Sequence, residues 1–266
     1  IKKTVEKLLG EFEELKKLKR NVILKIPKKK FKSEKIPLQI ELLKMQEWMK
    51  KNEYKLAIVF EGRDSAGKGS AIKTITEFLQ PKYFDIETFN IPTEEQKKNW
   101  FDRYLAVMPK PGHMTFFDRS WYNRAVNDPV MGYCTHEEYE KFMADVVGFE
   151  ERLNKKGIHI IKLWFSVTKE TKELRFKMRQ ANPLKYWKFS ENDLKTMSKW
   201  EQFTAYKERM FNETSTTENP WIVVDSDDKR LAQLNVMRYI LNNVNYKGKD
   251  TEVIGQPFPE IIIPMI

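Results

Sequence analysis

Residues 55–75 read KLAIVFEGRDSAGKGSAIKTI. An apolar run, Leu56–Phe60, leads into Gly-x-x-x-x-Gly-Lys at Gly62–Lys68, and a helical pattern leads out to Leu79. The bare motif recurs by chance, but strand before and helix after make it specific. Backbone N–H groups of such a loop converge on a phosphate, and the helix N-terminus adds a favourable dipole. Lys68 then acts as a point charge between transferred and leaving phosphates. Gly62, Arg63, Ser65, Ala66, Gly67, Gly69 and Ser70 are the accompanying candidate substrate-binding positions. The residue after Lys68, where the motif usually has Ser or Thr on magnesium, is Gly69. Asp64 stands inside the loop. A carboxylate among phosphates is repulsive unless a divalent cation lies between them, so Asp64 is a candidate metal ligand. The plainer alternative is a solvent-facing loop aspartate.

The surrounding pattern sets the fold class. Short apolar, β-branched or aromatic runs occur at 54–62, 84–91, 113–120, 159–167 and 221–226. Helical patterns lie between and after them, at 68–79, 93–106, 121–128, 136–155, 169–180, 191–213 and 227–244. Such alternation predicts an α/β fold, a parallel sheet covered on both faces. Ahead of it, Val5, Leu8, Leu9, Phe12 and Leu15 share one face of an amphipathic helix over 4–20. A basic break bounded by Pro27 and Pro37 follows, then a helix over 38–51. This divides the chain into a helical arm (1–53), a core (54–246) with a lid at about 169–213, and a tail (247–266). The apolar run Ile261–Ile263 in the tail is expected to pack back or meet a partner.

Two further blocks carry chemistry. In TFFDRSWYNR (115–124), Asp118 ends an apolar strand, as a second metal-binding or base-like carboxylate would. Ligands of doubly wound sheets sit at the carboxyl ends of strands, where Asp64 and Asp118 both belong. An N-cap role is the plain alternative for Asp118, and surface ion pairing that for Arg119 and Arg124. The segment 172–200 places Arg175 and Arg179 on one helical face. Asn182-Pro183 breaks that helix, and Lys185, Trp187 and Lys188 follow before a helix capped near Ser190. Two helices with a basic hinge describe a lid able to close over phosphates and supply arginines; a solvated basic face is the bland reading.

With 266 residues the chain suffices for one large α/β domain. Its net charge of +10 implies an anionic partner: nucleic acid, an acidic membrane surface or a polyanionic substrate. No apolar run reaches the roughly 20 residues needed to span a bilayer, and the start shows no signal-peptide core. A single cysteine, Cys134, precludes an internal disulfide and suits a reducing cytoplasm. His113, His136 and His159 show no zinc-ligand spacing.

Taken together, EGRDSAGKGSAIK, FFDRSWYNRAV with VMGYC, and RFKMRQANPLKYWKFSENDL resemble the polyphosphate kinase 2 family, from about Leu38 to Tyr246. The resemblance implies a three-layer αβα P-loop kinase fold similar to thymidylate kinase, with a five-stranded, mostly parallel sheet and a helical lid. It implies reversible phosphoryl transfer between inorganic polyphosphate and nucleotides (ADP/ATP foremost, with GDP/GTP or AMP as variants), using Mg2+ or Mn2+. It also implies a homodimer or homotetramer, and neither nucleic acid nor membrane as partner. By position it makes Asp64 and Asp118 the metal-binding and catalytic carboxylates and Lys68 the loop lysine. Arg119, Asn123, Arg124, Arg175, Arg179, Lys185 and Lys188 fall to polyphosphate or nucleotide phosphates, with Arg119 and Arg179 catalytic. Where relatives often read NRAGVE, this chain reads NRAVND, placing Asp128 near an acidic position of the family. A nucleoside or nucleoside monophosphate kinase of the same fold is the second reading, and a non-catalytic polyanion- or nucleic-acid-binding module the third.

Overall fold

A computed structural model of the chain describes residues 26–89, 92–184 and 196–265, together with Gly10 and Glu14. The expected arm helix over 4–20 lies outside the described residues apart from those two. So do Lys185, Trp187, Lys188 and the expected cap near Ser190.

The parallel strands are β1 (Lys55–Gly62), β2 (Phe84–Glu87), β3 (Met114–Asp118), β4 (Ile158–Ser166) and β5 (Trp221–Asp225). A further strand, β6 (Ile262–Met265), pairs antiparallel with β5, giving the order β2-β3-β1-β4-β5-β6. The expected five strands are therefore six. The tail's apolar run conceals the sixth because Pro264 interrupts it, and an edge strand tolerates proline where a central one does not. Ile261 and Ile262 pack back into the core.

Successive side chains of a strand point to opposite faces, and β1 shows why the sheet is covered on both. Leu56, Ile58 and Phe60 enter one apolar cluster, and Ala57 and Val59 enter the other. The first cluster contains residues of helices α1 (Lys28–Lys51) and α2 (Lys68–Thr76). Between β2 and β3 lie the short helices α3 (Glu94–Lys98) and α4 (Asp102–Leu105), where a single helix over 93–106 is expected. The expected helix over 121–128 is a 3-10 turn, Trp121–Arg124, capped by Ser120, followed by α5 (Asn127–Met131). Next come α6 (His136–Lys155), α7 (Lys169–Gln180) and α8 (Trp200–Thr214). After β5 the chain forms α9 (Lys229–Asn243) and the short α10 (Thr251–Ile254). Residues of α6 and α8 supply much of the second cluster, and α9 packs in the first.

The basic break expected between Pro27 and Pro37 is helix. Pro27 is the N-cap of α1, and Pro37 sits inside it. An internal proline costs about 3 kcal/mol, which tertiary contacts offset. Leu38, Leu42, Met45 and Met49 are buried, Arg238 donates to Glu34 at 2.8 Å, and the Tyr246 hydroxyl donates to Glu41 at 2.7 Å. No helix among the described residues is long and apolar enough to cross a membrane.

Candidate active site

The loop between β1 and α2 depends on glycine where the backbone demands it. Gly62 has φ +127°, and a Cβ there would lie 2.3 Å from the Phe165 carbonyl oxygen of β4. That strand passes too close for any side chain. Ser65 also adopts a left-handed φ of +61°. Its buried hydroxyl has no hydrogen-bond partner among the described residues. Lys68 opens α2 and folds back, its Nζ donating to Gly62 O at 2.7 Å and Arg63 O at 3.3 Å. Burial and the neighbouring Arg119 pull its pKa down, against the attraction of Asp64, Asp118 and Glu61.

Asp118 is the last residue of β3 and stands in register with Phe60, so it reaches the same sheet edge as the loop. A Cβ on Gly69 would lie 3.3 Å from Asp118 Oδ2. Position 69 therefore faces the Asp118 carboxylate, which would have to give by a few tenths of an ångström to admit a side chain. Asp64 pairs with Arg119, Nη2 to Oδ1 at 2.6 Å. Burial pushes the Asp64 carboxyl up, but the charges of Arg119, Lys68 and Lys172 outweigh it and hold the pKa below its ordinary value.

One residue of this edge is absent from the sequence-based candidates. Glu61, buried beside the loop, accepts from Ser120 N at 2.6 Å and Ser120 Oγ at 2.9 Å through one carboxylate oxygen. It thereby pins the Asp-Arg-Ser turn, in which Arg119 adopts φ +69°. Burial pushes its pKa up to about 7, against Lys68, the Ser120 hydrogen bonds and Arg119. The signal in the sequence is a lone acidic residue closing the apolar run before the loop.

Asp64, Lys68, Asp118, Arg119, Arg175 and Arg179 line one cavity of about 500 Å3, with Ser65, Gly67, Gly69 and Ser70 of the loop. Lys229, at the start of α9, lines it too and was not expected there. Arg175 also braces the loop. Its Nη1 donates to Ser65 O and Ala66 O at 3.1 Å each, and its Nη2 to Ser226 O at 2.5 Å and Asp227 O at 3.0 Å. Burial pushes its pKa down to about 10.

Other expected phosphate contacts face elsewhere. The Arg63 guanidinium lies 3.6 Å from the centre of the Trp200 ring and donates to Thr204 Oγ1 at 2.6 Å and Trp200 O at 3.2 Å. It clasps α8 and does not line the cavity. Arg124 is buried within ion-pair distance of Asp128 (3.4 Å) and Glu138 (3.3 Å), over the Trp100 ring. Spacing alone suggests that Arg119 and Arg124 share a pocket, but the intervening 3-10 turn sends them to different sides. Asn123 and Gly62 line a smaller cleft beside Glu61. The Ala66 side chain is buried.

A family model described as polyphosphate kinase 2 matches residues 25–252, which span this entire site. The chain belongs to the polyphosphate kinase 2 family. It is 44% identical over 239 residues to NDP-polyphosphate phosphotransferase 2 of Ruegeria pomeroyi, covering 90% of this chain and 70% of that one. It is 45% identical over 233 residues to the GDP-polyphosphate phosphotransferase of Mycolicibacterium smegmatis, covering 87% and 82%. The crystal structure of polyphosphate kinase 2 from Arthrobacter aurescens superimposes with a TM-score of 0.77 at 26% identity, covering 85% of this chain and 83% of that chain. The chain is thus an enzyme, a polyphosphate kinase of this family, and the expected P-loop kinase fold is the one observed.

The residues of this polyphosphate kinase suit a hard divalent cation. Asp64 and Asp118 line one cavity together with Ser65, whose buried hydroxyl has no hydrogen-bond partner among the described residues. No cluster of three or more His, Cys, Asp or Glu side chains able to hold a metal occurs among the described residues. Magnesium keeps several waters and takes one or two carboxylates plus substrate phosphates, which matches such a sparse donor set.

Proposed function

We propose that the enzyme reversibly transfers the terminal phosphoryl group between inorganic polyphosphate and a nucleoside diphosphate, ADP foremost, with Mg2+ or Mn2+. The carrying observation is the charge of the cavity. Among the described residues it is lined by five cations (Lys68, Arg119, Arg175, Arg179 and Lys229) against two carboxylates, with Met178 the only large apolar side chain. A site for a nucleoside alone would be mostly apolar, whereas this one fits repeating phosphates. The names of the Ruegeria and Mycolicibacterium relatives support a nucleoside diphosphate as acceptor.

In this mechanism the bond between the terminal phosphorus and its bridging oxygen breaks as an oxygen of the acceptor's β-phosphate bonds to that phosphorus. The attacking oxygen is already anionic near neutral pH, so no general base is required and Asp118 serves the metal. A cation held by Asp64 and Asp118 would neutralise charge on the transferring group. Lys68 bridges donor phosphates, and Arg119 exchanges its Asp64 contact for phosphate oxygens. Arg179 adds charge from the lid. The loose transition state asks mainly for positioning and neutralisation, and Arg175 supplies positioning by bracing the loop. One phosphoanhydride replaces another, so the direction follows concentrations. A reducing cytoplasm, suited to the single Cys134, and assembly as a homodimer or homotetramer belong to the same proposal.

The test is incubation with ADP, Mg2+ and long-chain polyphosphate, following ATP, with AMP and GDP as parallel acceptors. ATP formation is expected. No product from any diphosphate, alongside activity with ATP and a nucleoside monophosphate, would replace this reading with a monophosphate kinase.

A further inference from the structure

Polyphosphate is a polymer, and a long chain whose terminal phosphate lies inside a cavity of about 500 Å3 must continue outside it. Lys229 marks one way out. It lines the cavity, and its Cε would lie 3.3 Å from a Cβ placed on Gly67. The same turn holds the beginning of α1. Ile26 N donates to Asp228 Oδ2 at 3.0 Å, and Arg230 Nη1 donates to Ile26 O at 3.0 Å. Ile26 and Asp228 are both buried, so this is a built clasp. Farther along, Glu34 meets Arg238 and Glu41 meets Tyr246. Helices α1 and α9 therefore run side by side in one direction and begin at the same edge of the sheet.

Just past the clasp come Lys28, Lys29, Lys30 and Lys32, all exposed. No acidic residue stands in the first turn of α1. Two residues of chain span at most about 7 Å, so Lys28 stays close to the clasp. The helical rise carries Lys32 only about 6 Å further.

We propose that Lys28, Lys29, Lys30 and Lys32 form an outer subsite for inorganic polyphosphate, reached from the transfer site past Lys229. This rests on the reading that polyphosphate is the substrate. A short oligomer ends within the cavity and never meets these lysines. A long one continues past Lys229 and exchanges its counterions for them. The subsite holds the polymer without touching the chemistry, so it acts on KM for long chains and leaves kcat alone.

The test is the variant K28Q/K29Q/K30Q/K32Q beside its all-arginine counterpart, with ADP and Mg2+ and either long-chain or short-chain polyphosphate. For the glutamine variant, KM for long chains rises about tenfold, while kcat and the short-chain KM stay put. The salt dependence of log KM for long chains flattens by about 3, at roughly 0.7 per lost contact as for single-stranded polyanions. The arginine variant matches the parent. An unchanged long-chain KM and salt slope would overturn the subsite, as would equal loss with both donors. A parent enzyme that transfers from neither donor would overturn the functional reading itself, an outcome distinct from a parent active on both whose glutamine variant is unaltered.

Discussion

At Gly69 the chain departs from the common phosphate-loop pattern, and the position lies against a neighbour's carboxylate. Any side chain there starts 3.3 Å from Asp118 Oδ2, so Gly69→Ser should shift the Asp118 carboxylate, the proposed metal ligand, without unfolding the loop. The expected result is a melting temperature within about 2 °C of the parent and turnover reduced roughly tenfold, less than the hundredfold of a misplacement near 1 Å because the carboxylate need give only a few tenths of an ångström. Full activity of Gly69→Ser in the ADP assay would contradict this role for the glycine. Glu61 offers a second test, through pH. Its pKa in the folded protein, about 7, lies above the ordinary 4.5, so the folded state binds this proton more tightly than the unfolded state. The resulting stability is fully present below the ordinary value and is lost as pH rises through about 7. Glu61→Gln removes the titration while keeping an oxygen for Ser120. Melting curves from about pH 5 to about pH 8 should show the parent falling relative to the variant by several degrees. A constant difference would show that Glu61 is ionised throughout.

Among the elements, those with local signals were legible in the sequence. Helix α6 begins where the capping box of Thr135 and Glu138 places it, and α7 begins after the Thr168 cap. The loop, β1 and the carboxyl end of β3 follow from apolar runs and fixed motif spacing, and these bring Asp64, Lys68 and Asp118 together. What was hidden depends on distant partners. Pro37 reads as a break until Arg238 and Tyr246 are seen to hold α1 from the far side. Pro264 masks β6 until β5 is seen to leave an edge. Arg63 and Arg124 look like phosphate ligands because they flank the right motifs, yet Trp200 and the Asp128–Glu138 pair claim them. Arg63 therefore ties the loop to α8, an element-level role with its own consequence. Arg63→Ala should lower the unfolding free energy by about 2–4 kcal/mol in denaturant titration, through lost stacking and a residual cavity. Lysine should restore little, because it cannot stack and fork at once. Wild-type stability of Arg63→Ala would remove the clasp from the fold's support.

For the molecule as a whole, the +10 charge and the P-loop cavity describe one property at two ranges. In the proposed reading, long-range attraction gathers a polyanion, and close contacts at Lys68, Arg119 and Arg179 would align its terminal phosphate in the loop that Arg175 braces. Raising ionic strength should therefore increase KM for long-chain polyphosphate much more than KM for ADP, in initial-rate measurements across a salt series. Equal sensitivity of both would detach the overall charge from polymer recognition. The most direct measurement is phosphorus NMR of the enzyme with ADP, Mg2+ and long-chain polyphosphate, run in parallel with Asp118→Asn. Resonances of ATP should grow as polyphosphate is consumed, while the folded Asp118→Asn variant transfers slower by about three orders of magnitude. Wild-type protein that leaves both ADP and polyphosphate unchanged, or an Asp118→Asn variant that makes ATP at the normal rate, would contradict transfer at this site.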